Sequence, residues 1–286
     1  MAVDQDRTHK YHAEATALSG TLHHPLKQEI KPHAYVKIHE DGGYLAQQAT
    51  EFQLESVLQY GRAHTQVSGN LEDRKPGHGW NTLTTSVVEG LNILNVITAD
   101  RVVAQVATEH PLIGYIPRIS FLGTHFVNLR IAGHPVDVDL DIEFIGEKPE
   151  NDAPYTKSPG FIDRVSKQHA RLREHPNPLA EILGRYNQVP ENFGNPDGTR
   201  ETVECSLIHK VESACPGRIF GHVIHIRDFG TIYLAQVKIE HTAYHPVHGT
   251  PTETHVHLDM IRAEMGCIAT GSVSAATART NGGTRP

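Results

Sequence analysis

Apolar and polar side chains alternate with a period of two along most of this 286-residue chain, between short breaks at Gly, Pro, Asn or Asp. Such alternation turns one side of an extended segment towards a core and the other towards water, as in a half-buried β-strand. About thirteen short segments at spacings of roughly ten residues favour an antiparallel sandwich or barrel over alternating strands and helices. The expected fold class is therefore all-β, with candidate strands at 34–39, 52–60, 63–67, 82–88, 101–109, 118–122, 125–131, 136–144, 202–210, 219–227, 231–241, 254–262 and 267–275.

Two short segments have the composition of hairpin turns. The sequence RDFG at 227–230 separates two β-rich segments, and AGHP at 132–135 lies between NLRI and VDVDLDIEF. Gly and Asp adopt the backbone conformations that tight turns require. Both segments are therefore predicted to connect neighbouring antiparallel strands.

Residues 146–201 interrupt the β pattern with seven prolines. Within this insertion, a narrow apolar stripe predicts a helix at 159–173, a second short helix is expected at 178–186, and 187–200 is expected to be loop. Residues 1–20 and 276–286 lack an apolar period, so they are expected to be a flexible N-terminal arm and a C-terminal tail. The prediction is a single β-rich domain at 21–275 that carries the insertion at 146–201.

Charge and composition exclude several classes of protein. The chain has 26 basic and 33 acidic residues, a net charge of -7 and a pI near 6.3, which argues against nucleic acid as a partner. No apolar run approaches the roughly 18 residues of a membrane span. No signal peptide is recognisable at the start, so a cytoplasmic location is expected.

Cysteine usage gives little sign of a disulfide framework. The three cysteines, Cys205, Cys215 and Cys267, form no CxxC pair and are odd in number. Reduced, buried thiols are therefore expected, and a bridge between Cys205 and Cys215 stays open.

Histidine is unusually frequent, with 21 copies. Residues 241–257 (HTAYHPVHGTPTETHVH) contain five of them, and His255 and His257 share one face of a candidate strand, where two imidazoles can chelate one metal ion. His241 or His248 could supply a third nitrogen from the adjoining strand or loop. The four residues form a candidate site for a divalent metal, and the alternative is a solvated strand face beside a polar loop.

The abundance of histidine also has a collective consequence. Groups that titrate near pH 6.5 would make the net charge less negative in mild acid, so solubility or assembly is expected to depend on pH.

The segment VDVDLDIEF places four carboxylates, Asp137, Asp139, Asp141 and Glu143, on one face of an expected strand. Repulsion between them would be relieved by water, by basic neighbours or by a hard cation such as calcium. A charged strand edge that discourages aggregation is the simpler interpretation.

Motifs of nucleophilic and nucleotide chemistry are absent from the sequence. It contains no GxSxG, no SxxK, no GxxxxGK[ST] and no GxGxxG. The only tryptophan, Trp80, follows a Gly- and Pro-containing loop and is expected to anchor a core or an interface.

Four segments resemble a known family: GLNILNVITADRVVAQVATE, SFLGTHFVNLRIAGHPV, FGTIYLAQVKIEH and HVHLDMIRAEMGCIATGSVSAATA. In this order they are similar to the core of the choice-of-anchor P type domains of bacterial surface proteins, over about a third of the chain. The resemblance implies an all-β, extracytoplasmic, non-catalytic domain, and it assigns no active-site residue. The insertion at 146–201 has no counterpart in that pattern.

Two functions are compatible with these observations. The first is a non-catalytic β-rich protein that binds a partner or assembles with copies of itself as a homo-oligomer. The alternative is a metal-dependent hydrolase, lyase or isomerase, in which His255 and His257 hold the ion at the mouth of a sandwich or barrel and the ion lowers the pKa of a bound water. A sandwich that binds a carbohydrate or another small ligand is a third possibility.

Overall fold

The computed structural model describes residues 7–24, 26–72, 79–187, 193–194, 198–247, 249–266 and 269–285. The strands before the insertion are β1 (Thr8–Lys10), β2 (Ala13–His24), β3 (Gln28–His33), β4 (Val36–Lys37), β5 (Gly43–Ala49), β6 (Phe52–Leu54), β7 (Leu58–Tyr60), β8 (Arg62–Leu71), β9 (Trp80–Ile93), β10 (Ile97–His110), β11 (Arg118–Ser120), β12 (His125–Val127), β13 (Arg130–Ile131) and β14 (His134–Leu140). Those after it are β15 (Glu201–Ser206), β16 (Ile208–Ser213), β17 (Gly217–Phe220), β18 (Val223–Ile226), β19 (Gly230–Tyr244), β20 (Pro251–Gly266) and β21 (Thr270–Arg285).

These strands form two antiparallel sheets. The first has the order β17-β18-β19-β20-β21-β2-β3, with β1 on β21, β15 on β19 and β4 on β2. The second has the order β16-β14-β13-β10-β9-β7-β6, with β11 and β12 on β10, β8 on β9, and β5 on β8. The predicted all-β fold is confirmed, and of the two expected architectures the protein adopts the sandwich.

The main hydrophobic core lies between the two sheets. In β10, Val102, Ala104 and Val106 are fully buried, and in β20, Val256 and Leu258 alternate with half-buried polar residues. Both strands show the period-two pattern that predicted them. The hairpin predictions are also confirmed, because residues 227–229 connect β18 to β19 and residues 132–133 connect β13 to β14. Asp228, Ala132 and Gly133 have the positive φ of tight hairpin turns.

The two ends of the chain differ from the expected flexible segments. β2 includes residues 13–20 and pairs with β21 in the first sheet, and β21 extends through residues 276–285 of the expected tail. The local pattern of these strands is weak, because Ala13, Ala15, Ala278 and Gly282 are small rather than strongly apolar. Small side chains suit this position, because the two sheets approach closely here: Ser86 Oγ donates to Thr16 O across 2.9 Å.

The insertion supplies the helices of the structure. Helix α1 (Pro159–Arg173) has the predicted bounds, and the second predicted helix is the shorter α2 (Ala180–Arg185). Two 3-10 turns, Glu150–Asp152 and Tyr155–Lys157, precede α1. The buried face of α2, together with Leu172 of α1, packs on Phe220 and Tyr233 in a small core of its own.

Two further expectations concern acidic residues and thiols. β14 ends at Leu140, so Asp137 and Asp139 lie on the strand but Asp141 and Glu143 do not; the prediction of four strand carboxylates was wrong for this pair. A turn replaces the strand there, and Asp141 Oδ1 accepts a hydrogen bond from the backbone N–H of Glu143.

Cys205 and Cys215 are free and buried, and Cys267 lies outside the described residues.

Candidate functional site

A cleft of about 180 Å3 lies between α1, the turn after β14 and the turn between β17 and β18. Four polar residues of α1 line it, namely Arg164, Lys167, Gln168 and Arg171. Their spacing of three, four and seven residues puts them on one side of the helix. The other lining residues are Asp141, Phe144, Leu172, Ile208, His209, Gly221 and His222.

Backbone hydrogen bonds fix the helix wall of the cleft. Arg164 donates from Nε to Phe144 O across 2.7 Å and from Nη2 to Ile145 O across 2.9 Å. Gln168 donates to Ser206 O and accepts from Ser206 N, at 2.9 and 2.8 Å. These bonds tie α1 to the end of β15 and to the turn after β14, so the wall is held before any ligand arrives.

The cationic groups differ in their partners. Lys167 Nζ lies 2.7 Å from Asp163 Oδ2 on the exposed side of α1. Arg171 is exposed and has no carboxylate partner among the described residues. Asp141 is the one acidic residue among the residues that line the cleft. The lining of the cleft thus has three basic side chains and one carboxylate, in a protein whose net charge is -7.

The floor of the cleft contains a buried histidine. His222 is 1% exposed, and its Nε2 lies 2.9 Å from the hydroxyl of Tyr186. The same hydroxyl accepts a hydrogen bond from Gln236 Nε2 across 2.9 Å. Burial lowers the pKa of His222 to about 3 and raises the pKa of Tyr186, so both side chains are neutral at pH 7.

An ion-pair network surrounds this hydrogen-bonded group. The guanidinium of Arg185 lies 3.2 Å from Glu204 Oε2 and 3.6 Å from Glu264 Oε1, and 4.7 Å from the centre of the Tyr233 ring. The carboxylates and the ring compensate the charge of this partly buried arginine. The network attaches α2 to the outer face of the first sheet and positions Tyr186 directly after it.

His241, from the predicted metal site, has a structural role. Its Nε2 accepts a hydrogen bond from the backbone N–H of Tyr155 across 3.0 Å, and its Nδ1 lies 3.1 Å from Thr254 Oγ1. The side chain is fully buried, and burial lowers its pKa to about 4. Both ring nitrogens therefore have partners within the protein.

His255 and His257 lie on one face of β20, as the spacing predicted, and both are half-buried. His255 Nε2 lies 3.1 Å from Thr242 Oγ1, and His257 Nε2 lies 3.2 Å from Asp259 Oδ1 without the alignment of a hydrogen bond. His248, the fourth predicted ligand, lies outside the described residues. Among the residues that are described, no group of three or more His, Cys, Asp or Glu side chains is arranged to hold a metal ion.

Sequence reasoning missed the cleft residues, although one signal was available. Arg164, Lys167 and Arg171 recur at intervals of three and four on a helix whose bounds were predicted correctly, which indicates one basic face. His222 gave no such signal, because its neighbours Tyr186 and Gln236 come from distant parts of the chain.

Comparisons with known proteins give a family but no function. A family model described as "Domain of unknown function (DUF8256)" matches residues 9–240. Neither the curated proteins nor the solved structures contain a match. The helices within the described part of the chain are all too short or too polar to cross a membrane.

Proposed function

Since the chain belongs to the DUF8256 family, whose description assigns no activity, we propose a function from the geometry of the cleft: the protein binds a small amphipathic anion. This is a non-catalytic binding function on a β-sandwich scaffold. One observation carries it, namely that Arg164, Lys167 and Arg171 line the same cleft as Phe144, Leu172 and Ile208.

The charge distribution supports an anionic head group. Cationic side chains concentrated in a cleft raise the local concentration of anions, even on a protein that is acidic as a whole. Arg171 has no carboxylate partner among the described residues, so an anion can use its guanidinium without displacing an internal ion pair. The apolar side chains of Phe144, Leu172 and Ile208 favour a ligand whose head group is attached to an apolar body.

Binding of octanoate tests this function, with octanol as the uncharged probe of equal chain length. We expect octanoate to bind more tightly than octanol, as measured by ligand-observed NMR titration. Arg171→Gln should weaken octanoate binding about fivefold, a loss of roughly 1 kcal/mol for one exposed charge contact. Arg62→Gln is the matched control, since Arg62 is an exposed arginine of β8 that does not line the cleft. Equal affinity for octanoate and octanol, or equal effects of the two variants, would contradict the proposal.

Self-association is a second candidate, favoured by one edge of the second sheet. Among the described strands, β5 pairs with β8 alone, and it exposes Tyr44 by 64% and Leu45 by 40%. An unpaired edge with exposed apolar side chains can pair with the same strand of another copy. Light scattering after size exclusion should show a dimer that Leu45→Lys converts to monomer. A monomeric wild-type protein at high concentration would remove this candidate.

A reducing compartment is the location that we propose. Its support is chemical, because Cys205 and Cys215 are free and buried rather than bridged. Mass spectrometry after alkylation of the protein from its native cells would contradict this location by detecting either cysteine in a disulfide.

A further inference from the structure

We propose that His222 determines which head group the cleft accepts, by presenting its Nδ1–H as a fixed hydrogen-bond donor to a ligand oxygen. The matching ligand atom is the oxygen of a carboxylate or phosphate, which only accepts hydrogen bonds. This inference rests on the proposed function of the cleft and adds the residue that selects the head group by a hydrogen bond.

The direction of each hydrogen bond in the series that leads to His222 is set by Arg185. Its Nη2 lies 3.5 Å from Gln236 Oε1, and a guanidinium can only donate hydrogen bonds. The carboxamide oxygen of Gln236 therefore faces Arg185. Its amide nitrogen is then the atom that lies 2.9 Å from the hydroxyl of Tyr186, to which it must donate.

The Tyr186 hydroxyl determines which nitrogen of His222 accepts a hydrogen bond. It accepts from Gln236 and has a single proton of its own, which it donates to His222 Nε2 across 2.9 Å. Nε2 of His222 is therefore the unprotonated nitrogen. A neutral imidazole has one N–H, so the proton of His222 lies on Nδ1.

The surroundings keep His222 neutral. The Tyr186 hydroxyl at its Nε2 is neutral, and the nearby His169 and Arg185 both disfavour a positive charge on it. Burial acts in the same direction and is the larger cause. The imidazole is consequently a neutral donor at Nδ1 rather than a cation with two donors.

Nδ1 is the nitrogen of His222 that is left for a ligand. It has no hydrogen-bond partner among the described residues, and His222 lines the cleft. Lys167 and Arg171 line the same cleft and can neutralise the charge of an anion that accepts from Nδ1.

The first measurement is the tautomer of His222 in the full-length protein without ligand. Long-range 1H–15N correlation at pH 7 should show a protonated Nδ1 and an unprotonated Nε2. Tyr186→Phe removes only the hydroxyl that donates to Nε2, so it should shift the population towards the Nε2–H form. A wild-type His222 that is protonated at Nε2 alone would overturn the inference, whatever ligand binds.

The second measurement is octanoate affinity for variants of His222. The side-chain amide of Asn can place a donor near the position of Nδ1, so His222→Asn should bind octanoate within about threefold of the wild type. His222→Leu has no donor and should lose at least tenfold, a cost typical of an unpaired charged acceptor. Circular dichroism and thermal unfolding of each variant identify any loss of fold, in which case Tyr186→Phe provides the affinity comparison, with an expected loss of a few-fold.

The outcomes separate the two proposals. Octanoate binding that His222→Leu leaves unchanged, but that Arg171→Gln weakens, would overturn the role of His222 and retain the cleft. No octanoate binding by the wild-type protein would overturn both. Inorganic phosphate as a third probe shows whether the head group alone suffices or an apolar body is needed.

Discussion

The backbone N–H of Tyr155 donates a hydrogen bond to His241 Nε2 across 3.0 Å, and the two rings are parallel with centres 6.2 Å apart. Tyr155 begins the turn that precedes α1, and His241 lies on the inner face of β19. The contact therefore attaches the start of the insertion to the first sheet. Because Nε2 accepts, the proton of the neutral ring lies on Nδ1, which donates to Thr254 Oγ1 across 3.1 Å.

Replacing His241 should destabilise the whole fold. His241→Ala leaves the Tyr155 N–H buried without a partner and opens a cavity, so the free energy of unfolding should fall by about 2–4 kcal/mol. His134→Ala, at the exposed first residue of β14, is the matched control and should change stability by less than about 0.5 kcal/mol. Urea unfolding measures both, and similar values for the two variants would contradict the structural role of His241.

Gly282 is expected to tolerate no side chain. A Cβ there would lie 2.3 Å from His110 Cε1 and 2.9 Å from His9 Cε1, two rings that pack against each other with centres 4.7 Å apart. Gly282→Ala should therefore lower the unfolding free energy by about 1–3 kcal/mol. The control Gly184→Ala, in α2, has open space and should stabilise the protein by up to about 1 kcal/mol. Equal thermal unfolding temperatures for the two variants would contradict this packing.

Stability should decrease as the pH falls below neutrality. Burial lowers the pKa of His9 and of His241 to about 4 and that of His222 to about 3, whereas unfolding returns each to about 6.5. Below pH 6.5 the unfolded chain takes up protons that the folded protein does not, so stability is present above pH 6.5 and is lost progressively down to the folded pKa values. Each group contributes a loss on the order of a few kcal/mol by pH 4.

Chemical denaturation at a series of pH values between 8 and 4 measures this loss, and a flat profile would contradict the burial of these rings. His241→Gln is the internal comparison, because it removes one of the titrating groups and should make the profile less steep. The expected dependence of assembly on pH stays a prediction of its own, which turbidity between pH 5 and 8 tests.

The thiol of Cys205 should be unreactive in the folded protein. Its side chain is 1% exposed, and burial raises the pKa of the thiol, so little thiolate forms at pH 8. In a Cys215→Ser, Cys267→Ser double variant, a disulfide reagent should label the remaining thiol promptly in urea and at least a hundredfold more slowly without it. Rapid labelling of the native double variant would show that this part of the core is open.

Several elements could be predicted from the sequence because their signals are local. The alternation in β10, β19 and β20 reports a strand with one buried face, and the apolar stripe of α1 gave its bounds. The sequences RDFG and AGHP predicted their hairpins because the required backbone conformations depend on a few adjacent residues.

Less of the candidate site could be predicted from the sequence. His255 and His257 were placed on one face correctly, since that depends only on strand geometry. The partners of His241 and His222 could not be predicted, because Tyr155 and Tyr186 belong to the insertion and are brought to them by packing over long sequence separations.

The sequence by itself thus determined the alternating strand pattern of the chain, the position of the insertion and the bounds of α1. Tertiary structure decided the rest: it ordered the small-residue ends into β2 and β21, and it gave His241 a structural role by enclosing both its nitrogens. It also placed the basic residues of α1 beside His222. The physical reason is that burial, and with it hydrogen-bond partners and pKa, is a property of the packed neighbours and not of the adjacent residues in the chain.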